Sequence, residues 1–311
     1  LMTAAKPPVN VAPHVLHALS NHKAVVALES TVITHGLPYP ENLQLAQDME
    51  GEVIKYGVTP ATIAVLDGQV RVGLNADQLQ FLASQGGNLY KVSRRDFGPL
   101  IAAGESGGTT VAGTSFVADL VGIRVFATGG IGGVHYQVGE RSVLDISADL
   151  PALAQTPIVV VCAGAKAILD IPATLEYLET WTVPVVGYRT DEFPAFYSLE
   201  SGLKTSARAN HPTEVHAIAQ AHWALGNKSA VLVVVPPPED VALPAPEMQK
   251  AVNQALRDAE ETGVSGQKVT PFLLNRVSEL TSGASLHANL GLLLNNVRVA
   301  SEIALNFASE S

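Results

Sequence analysis

The sequence predicts an α/β fold built on a mixed, mostly parallel central sheet, and three observations carry that prediction. Residues 24–28, 158–162 and 230–235 are short, unbroken apolar runs rich in β-branched side chains. Such runs suit strands buried on both faces, as the inner strands of a parallel sheet are. Segments with apolar residues at helical spacing alternate with them, as strand–helix–strand construction requires. Finally, Asp67-Gly68 joins two short apolar stretches, 61–66 and 69–73. An Asp-Gly pair in that setting makes a hairpin, so the sheet cannot be wholly parallel.

Taken in order, residues 1–20 are rich in Pro and Ala and are expected to be a partly ordered extension ahead of a single domain over 21–311. The strand at 24–28 ends in Glu29-Ser30-Thr31. Residues 34–40 contain Gly36, Pro38 and Pro40 and read as a loop above that strand. Leu43, Leu45, Ala46, Met49, Val53 and Ile54 mark a helix over 40–56 that stops at Gly57. A helix over 75–84 has Asn75 as its N-cap. A strand near 88–93 carries Lys91, and 97–104 reads as a helix.

The glycine-rich segment 107–115 precedes a helix at 115–121, and a strand at 123–127 leads into a second glycine-rich segment, 128–135. Glycines after a strand let backbone N–H groups approach an anion. Neither segment matches a dinucleotide or Walker fingerprint. The strand at 158–162 ends in Ala163-Gly164-Ala165 and Lys166, with 167–169 able to open a helix. Beyond it come a helix at 172–181, a strand at 183–188, an irregular stretch at 189–210, a helix at 211–225 and a strand at 230–235. Pro236-Pro237-Pro238 halts that strand, and helices fit 247–263, 270–282 and 286–308. No repeat or linker divides the chain.

Composition narrows the function. A net charge of −10 lacks the basic face that nucleic-acid binding needs. No apolar run approaches the ~20 residues of a membrane span. One cysteine excludes an internal disulfide and suits a reducing, cytoplasmic setting. A phosphorylated small molecule remains open as a substrate, with Lys91, Arg94 and Arg95 as candidate cations.

Five polar positions fall beside predicted strand ends: Glu29, Lys91, residues 109–115, residues 145–149 and Lys166. An active site on an α/β sheet is assembled in this way, at the carboxyl ends of its strands. Lys166 either lies along the surface with its ammonium in water or, desolvated, presents a neutral amine as nucleophile. The pattern by itself leaves both open. Asp145 and Asp149 are equally able to cap a helix near 149–154. His35 and His135 lack the spacing of a zinc site, so a metal here would be a hard cation such as Mn²⁺ or Mg²⁺. Cys162, inside an apolar run, is expected to be buried and inert.

Several longer stretches carry a resemblance. Val-Val-Ala-Leu-Glu-Ser-Thr (25–31), Lys-Val-Ser-Arg-Arg-Asp (91–96), Ala-Thr-Gly-Gly-Ile-Gly-Gly-Val-His (127–135), Asp-Ile-Ser-Ala-Asp-Leu (145–150) and Val-Cys-Ala-Gly-Ala-Lys (161–166) resemble the pseudouridine-5′-phosphate glycosidase family, which includes the indigoidine synthase A-like proteins. Asn289 and Asn295-Asn296 also fit, and the similarity runs in order through most of the chain. The resemblance implies a three-layer α/β/α fold, a homotrimer, one Mn²⁺ per subunit and reversible cleavage of pseudouridine 5′-phosphate to uracil and ribose 5-phosphate. It implies Lys166 as nucleophile, Glu29 as proton donor and Asp145 as the Mn²⁺ residue, largely through water. Lys91, Val111, Ser147, Ala148 and Asp149 would contact substrate, with Thr128, His135 and Asn289 as further contacts. One departure follows His135, where the family continues Arg-Gly and this chain has Tyr136-Gln137-Val138-Gly139-Glu140-Arg141. Arg141 is the candidate to stand in for that arginine. The rival readings are a ribokinase-like sugar or nucleoside kinase, which would need ATP, and a non-catalytic phosphosugar sensor.

Overall fold

The apolar runs become the middle of an eleven-stranded sheet in the computed structural model, which describes residues 8–136, 145–264 and 269–308. The chain opens with β1 (Val9–Val11), α1 (Pro13–Ser20), β2 (Val25–Leu28), α2 (Thr31–His35) and α3 (Glu41–Lys55). Next come β3 (Thr59–Leu66), β4 (Gln69–Val72), α4 (Ala76–Gln85), β5 (Tyr90–Val92), α5 (Phe97–Ala103), β6 (Gly107–Thr109) and α6 (Val111–Leu120). The middle comprises β7 (Val125–Ala127), β8 (Val134–His135), α7 (Asp149–Leu153), β9 (Val159–Cys162), β10 (Leu169–Asp170) and α8 (Ile171–Thr180). Last are β11 (Val185–Tyr188), β12 (Ala207–Ala209), α9 (Pro212–Ala224), β13 (Val231–Val234), α10 (Ala245–Thr262), α11 (Val269–Leu280) and α12 (Ala284–Ala308).

Seven strands run parallel in the order β12-β11-β13-β9-β7-β2-β3. Every residue of β2, β9, β11 and β13 is buried, as a strand covered on both faces requires. α12 lies on β2, β7 and β9 and packs against α3 and α9, while α6 packs on β2, β3 and β7 beside α7. The sheet between these two sets of helices gives the three-layer α/β/α arrangement. No described helix is long and apolar enough to cross a membrane.

The antiparallel part lies at the β3 end. Asp67 and Gly68 both have positive φ, the conformation a two-residue hairpin of right twist demands, and β4 folds back along β3. On the opposite flank β3 changes partner midway. Residues 59–62 pair with β2, and residues 64–65 pair with β6, which takes the place β2 vacates at Leu28. β5 then joins β6 in parallel, which brings Lys91 opposite Gly108.

The structure differs from the sequence pattern at several places that matter for the site. Residues 34–40 are not all loop: one helical turn, α2, starts directly after β2 because the N–H groups of Ile33 and Thr34 close on the Ser30 carbonyl. Segment 107–109 is a strand although two of its three residues are glycine. A side chain at Gly108 would collide with the Thr34 hydroxyl and the Ser30 carbonyl, so the strand is glycine because α2 lies against it. α6 begins at Val111 rather than near 115, with the Thr110 hydroxyl accepting from Gly113 N–H at 3.3 Å. Residues 167–169 do not open a helix. β10 instead pairs antiparallel with β8, and the helix begins after Asp170, whose carboxylate caps it. Asp149 sits at the start of α7 without capping it. Of residues 1–20, expected to be a partly ordered extension, residues 1–7 lie outside the described residues, and in 8–20 β1 pairs with β4 and α1 packs on β2 and β3.

Candidate active site

The carboxyl ends of three adjacent strands, β2, β7 and β9, carry Glu29, Thr128 and the turn leading to Lys166. Ser30 fixes the first of these ends: its hydroxyl donates to the Ile63 carbonyl at 2.6 Å and accepts from Thr109 N–H at 2.9 Å. Glu29, next to it, is 6 % exposed. The Thr128 hydroxyl donates to Glu29 Oε1.

The segments after β7 and β9 are laced together rather than free. Thr128 N–H donates to the Val161 carbonyl, Ala163 N–H to Gly129, Ile131 N–H to Gly164 and Lys166 N–H to Ile131, all at 2.9–3.1 Å. Lys166 is therefore held by the same segment that holds the partner of Glu29. The expected backbone cradle for an anion is filled by the protein itself. Asp149, 7 % exposed, accepts from Ala112 N–H through Oδ1 at 2.9 Å and from Gly132 N–H through Oδ2 at 2.8 Å. A Cβ at Gly132 would overlap the Ser147 hydroxyl and Asp149 Oδ2, so glycine there serves this internal brace.

Glu29, Lys91, Lys166 and Asn289 line one cavity of about 640 Å³, within the range of small-molecule sites. Its remaining walls come from α2 and the turn after it, Gly129-Gly130, Phe196-Tyr197, α11 and α12. Electrostatics follow from the depth of the site. Burial raises the Glu29 carboxyl above the usual range, against the opposing pull of Lys166 and the Thr128 hydroxyl. Burial and Lys166 lower the Lys91 ammonium, while Asp149 and Glu29 work the other way. Burial lowers His135 against the opposing Asp145 carboxylate, with Lys91 and Lys166 adding to the depression. His35, on the cavity wall, is lowered by burial and by Lys91.

A family model for indigoidine synthase A-like proteins matches residues 14–306. The chain belongs to the indigoidine synthase A-like family. Among its relatives, the pseudouridine-5′-phosphate glycosidase of Paracoccus denitrificans is 50% identical over 97% of this chain and 99% of its own. The enzyme of the same name from Escherichia coli K12 is 48% identical over 96% and 95%. Among solved structures, the prealnumycin C-glycosynthase AlnA in complex with ribulose 5-phosphate superposes with a TM-score of 0.89 at 37% identity, covering 98% of both chains. An indigoidine synthase A-like protein from Thermotoga maritima gives 0.88 at 34% identity over 99% of both.

In this family member the residues singled out in the sequence fall into three places. Glu29, Lys91, Lys166 and Asn289 face the cavity. Thr128, Asp149 and His135 are not among its lining residues but lie in hydrogen-bonding or electrostatic reach of those groups. Val111, Ser147 and Ala148 frame Asp149: Val111 precedes Ala112, the Ser147 hydroxyl accepts from Asp149 N–H at 3.2 Å, and Ala148 leads into α7. Arg94 and Arg95 are not cavity cations. Arg94 donates to Gln155 and lies over the Phe116 ring, and Arg95 pairs with Asp96. Arg141 lies outside the described residues. Cys162 is fully buried and burial pushes its thiol up to about 12. Sequence patterns gave no role to Phe196, Tyr197 or the α11 wall, because nothing local marks a residue as facing a distant strand end.

Among the described residues no three His, Cys, Asp or Glu side chains gather as a metal cluster. Asp145 is exposed, and its backbone carbonyl accepts from His135 N–H. An exposed carboxylate outside any such cluster suits a hard cation that keeps most of its water.

Proposed function

We infer that this chain is a pseudouridine-5′-phosphate glycosidase, cleaving the C1′–C5 bond to give uracil and ribose 5-phosphate. The observation that carries the reading is the meeting of a buried carboxyl, Glu29, and two lysines, Lys91 and Lys166, in one cavity, with Glu29 and Lys166 beyond the ends of β2 and β9 and Lys91 on β5. The near-full-length relatives of that name support it. A carbon–carbon glycosidic bond cannot be broken by protonating a leaving nitrogen, so the site must supply an electron sink on the sugar.

Lys166 supplies it. Electron push from the uracil ring opens the ribose as Glu29 donates its proton to the ring oxygen, a role suited to a carboxyl whose pKa burial has raised. The Lys166 amine adds to C1′. Protonation of uracil C5 then lets the C1′–C5 bond break, its electron pair returning to the uracil ring while the lysine nitrogen forms an iminium with C1′. Water hydrolyses the iminium, which frees ribose 5-phosphate and the lysine. Lys91 binds the phosphate as a charge-assisted donor, and Asn289 offers its amide to the base.

We propose that Asp145 would hold Mn²⁺, largely through water, as the family resemblance implies. When bound, it supplies positive charge beside an anionic substrate. Exhaustive chelation, with metal content measured, should remove activity that Mn²⁺ restores; full activity without metal would refute the assignment. The homotrimer that the resemblance implies is tested by light scattering, where a monomeric mass would refute it.

Incubation with pseudouridine 5′-phosphate and Mn²⁺, without ATP, tests the reaction itself. Free uracil is expected. Turnover only with ATP would favour a kinase, and binding without turnover a sensor.

A further inference from the structure

α12 carries three residues along one stripe, Asn289, Leu293 and Asn296, at the i, i+4, i+7 spacing of a single helix face. Asn289 and Leu293 line the cavity. Asn296 lies below them and is 0 % exposed. Its amide Nδ2 donates to the Thr128 carbonyl at 2.9 Å and to the Gly129 carbonyl at 3.3 Å. Those two acceptors fix the orientation of the amide, because only Nδ2 can donate to carbonyls. Its Oδ1 is then left buried without a partner among the described residues.

A buried amide with an orphaned oxygen is a poor device for stability alone, since an aliphatic side chain of similar size would avoid the desolvation cost. Its gain lies at the other end of the contact. The 128–129 segment is gripped from the sheet side by Val161 and Ala163, and Asn296 grips the same peptide from the helix side. Thr128, so held, aims its hydroxyl at Glu29.

We propose that Asn296 is a positioning residue for the proton-transfer carboxyl: by clamping the Thr128–Gly129 carbonyls to α12 it sets the Thr128 hydroxyl on Glu29. Asn296 does not itself line the cavity and makes no hydrogen bond to Glu29, so it reaches that carboxyl through the Thr128–Gly129 segment. The proposal rests on Glu29 being the proton donor, and the test separates the two ideas.

In Asn296→Leu, a near-isosteric change that removes the donor, the Thr128 hydroxyl loses its fixed aim. A hydrogen bond to an ionised carboxylate lowers its pKa, so loosening it raises the titration midpoint of Glu29. That midpoint is read by ¹³C NMR of carboxyl-labelled protein, with Glu29→Gln identifying the signal. Thr128→Val should raise it too, and the double variant should go no further than Thr128→Val alone. The kcat for uracil release should fall roughly 10–100-fold, the scale of a small misplacement at a reacting group, with KM little changed. An unchanged midpoint, or shifts that add in the double variant, would make Asn296 a packing residue and overturn the proposal. If Asn296→Leu gives no cooperative melt, Asn296→Ser is read in the same way. A wild type that releases no uracil would defeat the assigned reaction, while the Glu29 midpoints would still decide the role of Asn296.

Discussion

Two glutamates in this protein share a local setting and differ in what surrounds it. Glu29 and Glu50 both have pKa values raised by burial, and each accepts a hydrogen bond from a threonine hydroxyl, Thr128 in one case and Thr62 in the other, the latter at 2.6 Å. Among the described residues burial and the Thr62 hydroxyl account for the shift at Glu50, whereas Glu29 is also influenced by Lys166, Asp149 and Lys91. Burial with a hydroxyl partner therefore does not by itself mark a catalytic acid. The lysines and the cavity make the difference, and those come from strand order.

The comparison breaks most severely at Lys166. Lys166→Ala should abolish cleavage, and borohydride added during exposure to ribose 5-phosphate should trap a pentose-phosphate adduct on the wild type at Lys166 alone. Lys166→Arg should fail as well, because a guanidinium cannot give up its proton to act as an amine. An adduct mapped to another lysine would remove the Schiff-base step.

The next effect contrasts the two acids directly. Glu29→Gln should slow the single-turnover step by roughly 10²–10⁴-fold, the usual worth of positioned proton transfer. Glu50→Gln should leave that rate where it was. Equal rates in both variants would assign Glu29 a structural role.

Lys91→Ala should weaken binding of pseudouridine 5′-phosphate by about 10–100-fold, the cost of losing a hydrogen bond to a charged group. Unphosphorylated pseudouridine should bind as before, and parallel losses for both ligands would take the phosphate away from Lys91.

The smallest effect is one the two glutamates share. A carboxyl whose folded pKa lies above its unfolded value contributes stability at low pH that is lost as pH rises through the folded pKa. Above the ordinary glutamate range, Glu29→Gln and Glu50→Gln should therefore each melt higher than the wild type, with the gap closing as pH falls below that range. Melting curves that stay parallel across pH would show that neither acid is held protonated by the fold.

Much of this was legible in the chain. The inner strands announce themselves by apolar β-branched runs, Asp67-Gly68 sets the hairpin, and Asn75 caps α4 with a complete capping box. Glu29 and Lys166 could be picked out because one directly follows such a run and the other follows it after a three-residue turn of small side chains. The rest depends on contacts between residues far apart in sequence. β6 has no hydrophobic signature, since β5 crowds Gly107 and α2, the last two residues of which fall in the segment read as loop, crowds Gly108. Asp149 looks like a helix cap until Ala112 and Gly132 are seen to converge on it across 37 and 17 residues. Arg94 and Arg95 looked like phosphate cations for want of any sign that Gln155 and Asp96 would engage them.

The rungs that tie residues 128–131 to 161–166 have a consequence for anyone altering this enzyme. Two strand-end segments that share hydrogen bonds cannot be redesigned one at a time, because changing the path of either displaces both the acid's partner and the lysine. The pair behaves as one part, so variation that reshapes the reaction must arrive in both segments together. Change in substrate preference is easier on the α11 side of the cavity, where among the described residues the helix shares no backbone hydrogen bond with these two segments.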